Sequence, residues 1–513
     1  MKDSTATEQD FDHTLTYIGE LVQNLRQERG ITQKELATRL KTTQSAVARI
    51  EKGEQNLSAL TLSRINNALK ANLVNLSSGS INLRIEGGRK LKGEITTNSS
   101  KNGAVGLLCA SLLNRGKTTL HQVPRIEEVF RIIEVLESIG VTVVWRGSSV
   151  TITPPEQFDL SSIDRQAASK TRSIIMFIGP LIHRLNPFAL PKVGGCRLGS
   201  RSIKPHIYGL EEMGVKIEDR SHDLQISGSQ ISPAEVIMYE ASDTATENLL
   251  MAAAGISGKT VIKFATANYF VQDLCFYLEK LGVEIDGIGT STLTIKGRDN
   301  IAQDIEYTIS EDPIDAMFFL TSAITTRSTL TIRRCPIDFL ELELLKLEKM
   351  GLKYERSTSY TSHNQRTVLV DLHIKPSRLK ALDEKIEPRP YPGLNIDNLP
   401  FFAAIATQTK GQTFIHDWVY EERAIYFKEL DKLGAQTLLA DPHRIYINGP
   451  TKLQANEIIC PPALRPAAII LIAMLAAKGT SVLRNIYSIN RGYEDIAARL
   501  RSVGAEIAIF SDL

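Results

Sequence analysis

A short phrase returns six times along this chain of 513 residues: LESIGVTV from Leu136, LEEMGVKI from Leu210, LEKLGVEI from Leu278, LEKMGLKY from Leu347, LDKLGAQT from Leu430 and LRSVGAEI from Leu500. Successive copies start 74, 68, 69, 83 and 70 residues apart. Each reads as the end of a helix, a glycine that closes it, and a strand. A second echo, a small-residue helix running into a turn and a strand, occurs as GKTTL from Gly116, GKTVI from Gly258 and GTSVL from Gly479. Units of about 70 residues are too large for a thin solenoid whose repeats lean only on their neighbours. They predict an α/β fold of six repeated units, three per lobe, with a cleft between two lobes. A chain of this length also exceeds what one core supports.

Ahead of the repeats the pattern is different. In GITQKELATRLKTTQSAVARIEKGE, Thr32 and Glu35 have the spacing of a capping box, which opens a short helix ending near Leu40. Thr43 caps a second helix whose Ala46, Val47 and Ile50 face inward, leaving Gln44, Ser45, Ala48 and Arg49 outside. The motifs T-Q-x-x-L-A and Q-S-x-V-x-x-I-E-x-G resemble the lambda-repressor/Cro-type helix-turn-helix family. That resemblance implies a small all-α DNA-binding domain over residues 13–72, reading DNA through Gln33, Gln44, Ser45 and Arg49. Between His13 and Lys70 nine basic residues face five acidic ones, which suits salt-sensitive DNA affinity. Such modules usually act in pairs, so a homodimer is expected. Residues 73–80 read as a linker.

Over the whole chain 60 basic residues balance 58 acidic ones, so nucleic-acid binding must come from a local patch. The five cysteines are scattered, with no C-x-x-C pair. The first residues, MKDSTATEQDFDHTL, lack the basic end and apolar core of a signal peptide. Even AAIILIAMLAA at 467–477 falls short of the roughly 20 apolar residues that cross a bilayer. A cytoplasmic protein without a membrane partner is expected. Neither a phosphate loop of the GxxxxGKS type nor a cluster of metal ligands occurs, and no metal or cofactor is called for.

One cysteine stands apart. In KVGGCRLGSR, Cys196 lies among three glycines and beside Lys192, Arg197 and Arg201. Glycines free such a loop to approach a ligand, and the cations pull a thiol down from about 8.5 toward neutrality, where it can donate or accept a proton.

Six such units and this loop resemble the enolpyruvyl transferases, and within them the branch that acts on UDP-N-acetylglucosamine. The likeness spans residues 81–513. It implies an inverse α/β fold, with lobe one at about 101–305 and lobe two at about 81–100 plus 306–513. Along the sequence the resemblance places Lys101 and Asn102 of NSSKNGA at the family's phosphoenolpyruvate-binding pair. It places Arg172 of KTRSIIMFIGPL at an arginine for the sugar nucleotide, Cys196 at the proton donor and Arg201 at the start of the nucleotide-binding run. Ser242 fits a diphosphate-contacting turn. Asp397 of NIDNLPFF stands at the general base, its pKa expected to be raised by partial burial. Val419 and Arg423 follow in WVYEER, and Arg465 of ALRP and Arg491 of INRGYE complete the arginine set. Arginine suits this work because its fork meets phosphate and carboxylate oxygens in pairs.

The chain departs from the pattern at Lys204, where an acidic residue is usual, at Ala267-Asn268-Tyr269-Phe270, where the family has R-E-P-E, and at Ala463 in place of an aspartate. Asp243 and Thr244 are also unusual. The implied reaction is enolpyruvyl transfer from phosphoenolpyruvate to UDP-N-acetylglucosamine or another nucleotide sugar. The second reading is a transcription regulator whose transferase-like body senses a nucleotide sugar. A Cys196→Ser change separates them: turnover disappears under the first, and sugar-dependent DNA binding survives under the second. His206 reads as a structural hydrogen-bonder.

Overall fold

The computed structural model describes residues 19, 22–23, 26–27, 31–40, 42–53, 61, 65, 81–192, 202–228 and 230–511. The chain divides into two compact units, residues 1–81 with 511–513, and residues 82–510.

In the smaller unit, helix α1 (Gln33–Leu40) opens on the expected capping box: Thr32 N–H donates to Glu35 Oε2 at 2.7 Å and Glu35 N–H to Thr32 Oγ1 at 3.2 Å. Helix α2 (Gln44–Glu51) starts at Thr43, whose hydroxyl accepts from Ala46 N–H. Leu36, Ala37, Leu40, Ala46, Val47 and Ile50 are buried, so the two helices share one apolar seam. Arg26 donates to both carboxylate oxygens of Glu51, a buried ion pair that ties the second helix down.

In the larger unit the phrase glycines have a common shape. Gly140, Gly214, Gly282, Gly351, Gly434 and Gly504 all have φ between +81° and +105°, the left-handed region where a side chain is strained. Each leads into an edge strand: Thr142–Arg146, Lys216–Asp219, Glu284–Asp286, Lys353–Arg356, Gln436–Asp441 and Glu506–Ser511. Among the described residues there are six sheets, and each has one of these strands at an edge. The opening strand Ile81–Gly87 lies between Gly479–Arg484 and Glu506–Ser511 at the far end of the sequence.

Most strands bury alternate residues, as a sheet with one wet face must, whereas the helices beneath are buried on most or all sides. These are α3 (Lys101–Ala110), α5 (Asp243–Ala254), α6 (Tyr269–Lys280), α7 (Pro313–Thr325), α8 (Leu399–Ala406) and α9 (Leu464–Ala476), with the amphipathic α4 (Glu127–Ser138) alongside α3. Helices α3, α5 and α6 pack on one another, and so do α7, α8 and α9. Every residue of α7 and α8 is buried, as are Arg465 to Leu475 of α9. Helices inside and sheets outside make this an inverse α/β arrangement. Among the described residues no helix is long and apolar enough to cross a membrane.

Candidate active site

The starts of all six inner helices are joined by polar contacts. Lys101 and Asn102 form the first turn of α3, capped by the Ser100 hydroxyl, which accepts from Gly103 N–H at 2.8 Å. Lys101 N–H donates to Asp312, the cap of α7, at 3.4 Å. Asn102 meets Tyr269, the first residue of α6, at 3.3 Å. Asn268, the cap of α6, donates to Asp243 of the first turn of α5 at 3.1 Å and accepts from Asn395 at 3.3 Å. Asn395 in turn accepts from Asp397 N–H at 2.8 Å, in the loop that opens α8. Arg465, in the first turn of α9, donates to Asp397 Oδ2 at 3.1 Å. Helix starts carry unpaired N–H groups and positive partial charge, so their meeting favours an anion.

Cations reinforce that field. Arg465 is 7% exposed and also donates to Tyr493 Oη at 3.0 Å. Arg423 is 1% exposed, doubly bonded to buried Asp417, bonded to the Ile396 carbonyl at 2.8 Å, and 3.8 Å from Asp397 Oδ1. Arg491 donates to Glu128 Oε2 at 2.6 Å, and Thr171 Oγ1 donates to Glu128 Oε1 at 2.8 Å. Burial pushes the Lys101 ammonium below its ordinary pKa, with Arg491 and Arg465 adding to the fall and Glu128 and Asp397 opposing it.

Asp397 differs from the expectation. Burial does push its carboxyl up, but Arg465, Arg423 and Lys101 outweigh burial and hold it below the usual carboxylate range. The deciding fact is that two guanidinium groups flank one carboxylate. Asp312 is pushed up to about 6 by its burial, which Arg465 opposes without outweighing.

Lys101, Asn102, Asp397, Arg423, Arg465 and Arg491 therefore come together, directly or through shared partners. Arg172 and Ser242 belong to a neighbouring group. Arg172 donates to the Ser202 carbonyl at 3.0 Å and lies close enough to His206 to depress its pKa. Ser242 begins α5 without a capping bond from its hydroxyl. His206 is buried between Asn248 and Thr244, both at 3.2 Å, as a structural hydrogen-bonder would be. Val419 is 42% exposed in the turn between Asp417 and Arg423. Cys196 and Arg201 lie outside the described residues. In the helix-turn-helix unit Gln44, Ser45 and Arg49 are exposed, whereas the Gln33 carboxamide turns onto Glu51 at 2.8 Å.

Glu128, Tyr269, Asp312, Asp417 and Tyr493 also touch this group of residues, and none of them stood out in the sequence as a site residue. One signal for Glu128 was present. It stands four residues before Ile132 on the apolar face of α4, an odd place for a charge.

The family model described as EPSP synthase (3-phosphoshikimate 1-carboxyvinyltransferase) matches residues 85–500, and one described as helix-turn-helix matches residues 22–75. Curated relatives named UDP-N-acetylglucosamine 1-carboxyvinyltransferase are similar to this chain. The protein from Bacteroides thetaiotaomicron is 32% identical over 433 residues, covering 82% of this chain and 98% of its own length. That from Treponema denticola is 32% identical over 427 residues, covering 83% and 98%. Among solved structures the fold is similar to the enolpyruvyl transferase NikO from Streptomyces tendae, with a TM-score of 0.72 at 21% identity, covering 85% of this chain and 100% of that one. It is also similar to EPSP synthase from Acinetobacter baumannii, with a TM-score of 0.66 at 18% identity, covering 84% and 100%.

Proposed function

Because the chain belongs to the EPSP synthase family of enolpyruvyl transferases, we propose that it moves the enolpyruvyl group of phosphoenolpyruvate to the 3-hydroxyl of UDP-N-acetylglucosamine and releases phosphate, with DNA as the partner of its helix-turn-helix unit. The observation that carries this reading is the joining of six helix starts with Lys101, Arg423 and Arg465 around one carboxylate, Asp397, and with Arg491 and Glu128 beside Lys101.

Phosphoenolpyruvate brings about three negative charges, and the buried cations Arg423 and Arg465 with Lys101 answer them. Asp397 takes the proton of the attacking sugar hydroxyl. Tied to two guanidinium groups it is a weak base. An arriving phosphate or carboxylate competes for Arg465 and Arg423, so substrate itself strengthens the base as it binds. Cys196 donates the proton that C3 of phosphoenolpyruvate receives as the sugar oxygen bonds to C2; phosphate then leaves C2 as C3 gives up a proton, which restores the double bond. Arg172, Arg201, Ser242 and Val419 hold the nucleotide sugar.

The test is phosphate release from phosphoenolpyruvate by the full chain, measured with UDP-N-acetylglucosamine and a panel of other nucleotide sugars. Turnover with UDP-N-acetylglucosamine, abolished by Cys196→Ser, is expected. Silence with every sugar overturns the transferase reading and leaves the body as a sensor for the DNA-binding unit.

A further inference from the structure

The Asn102 carboxamide has a lysine on one side and a phenol on the other. Lys101 Nζ donates to its Oδ1 at 3.4 Å, and its Nδ2 donates to Tyr269 Oη at 3.3 Å. The two ends of an amide are nearly equal in size but opposite in hydrogen bonding, so an amide keeps its orientation only if both ends have the right partner. Turned over, Asn102 would press its N–H groups against an ammonium ion.

Tyr269 supplies the acceptor that prevents this, and it is held firmly. The residue is 2% exposed, and its ring stands edge-on to Phe270 and Phe339, with centroids 5.0 and 5.9 Å away. Its backbone N–H is capped by Asn268 Oδ1 at 2.9 Å. Burial, aided by Asp312 and Asp397, keeps the phenol protonated far above its ordinary range, so the oxygen meets Asn102 as a neutral hydroxyl at any working pH. The same helix start reaches the other side of the site, since Asn268 bonds Asn395 and Asn395 bonds the backbone of Asp397.

We propose that Tyr269 is a positioning residue for enolpyruvyl transfer, acting through the Asn102 amide to hold the Lys101 ammonium in place. The proposal rests on the transferase reading above. Among the described residues, the carboxylates Glu128 and Asp397 and the guanidinium groups of Arg491 and Arg465 act on Lys101. Against that fixed background, loss of the amide oxygen removes a group that favours the charged amine.

The experiment compares the wild-type chain with Tyr269→Phe, Asn102→Ala and the double variant, reading phosphate release with phosphoenolpyruvate and the working acceptor from pH 6 to 10. Tyr269→Phe removes one oxygen and keeps the ring, so the variant folds as the wild type does, its melting temperature lower by no more than about 2–4 °C, as for one buried hydrogen bond lost. Its kcat/KM for phosphoenolpyruvate falls about three- to tenfold, as for one neutral hydrogen bond, and the alkaline limb of the profile moves to lower pH. In the Asn102→Ala background the same change costs nothing further. Phe339→Leu, which disturbs the same packing without touching the phenol oxygen, leaves the limb where it is. Additive losses in the double variant, a limb that moves equally with Phe339→Leu, or a Tyr269→Phe enzyme as active as wild type would each overturn the proposal while the transferase reading stands. A wild-type chain silent with every acceptor brings down both.

Discussion

His206 is a buried imidazole whose two nitrogens are both engaged, Nδ1 accepting from Asn248 and Nε2 facing the Thr244 hydroxyl. Burial, with Arg172 nearby, drives its pKa down to about 3. Between about 6.5 and 3 the unfolded chain therefore holds a proton that the native chain refuses, and stability falls as pH falls through that window. Each pH unit below 6.5 costs on the order of 1.4 kcal/mol from this group alone. Comparing urea midpoints at pH 7.5 and 5 should show a smaller acid loss in His206→Gln than in wild type. At the same scale, the motifs pointed to Lys101, Asn102, Asp397 and Arg465, which the fold brings together, because each lies in a short run of characteristic neighbours. They misjudged the basicity of Asp397 because its two counterions come from positions 26 and 68 residues further on, and only folding sets them on either side of it. Asp417 and Tyr493 had no local signal at all, since each serves by gripping an arginine.

The turns between helix and strand show how much an element can reveal in advance. Six glycines at matching places in the repeat all adopt the left-handed turn that their spacing implied. They are not equally tolerant. A methyl group at Gly434 would meet nothing nearer than the Lys452 carbonyl at 3.6 Å, whereas one at Gly214 would strike the Gln230 carbonyl at 2.3 Å. Gly434→Ala should then lose about 1 kcal/mol, the cost of the backbone conformation alone. Gly214→Ala should lose roughly twice that or more, since backbone must also shift. Urea denaturation of the two variants ranks them, and equal losses would show that the collision is relieved cheaply. The capping box at Thr32 and the cap at Thr43 were equally legible, being contacts within three residues. The layering was legible only through the family resemblance, which implied an inverse α/β fold, and not from any one element. Helix α9 reads as an apolar run, and nothing local says that its neighbours are helices on the inside instead of a sheet.

For the molecule as a whole, DNA recognition and phosphate release should separate. Arg49 is exposed on α2, and Arg49→Ala should weaken retention of mixed-sequence duplex DNA about tenfold and lower the salt slope by about 1 if it meets a phosphate. Phosphate release by the same variant should be unchanged. Filter binding at two salt concentrations, beside the phosphate assay, checks both halves of that expectation. The two units also differ in how they must be assembled. Helices α1 and α2 find their partners within a few dozen residues. The strand Ile81–Gly87, by contrast, is made early and belongs between segments that begin at Gly479 and Glu506. On the ribosome it waits, bare along both edges, until nearly four hundred more residues have been added. A nascent chain can thus carry a finished reader of DNA well before its catalyst exists, and a message cut short near its end would release that reader with an adhesive, unfinished sheet behind it.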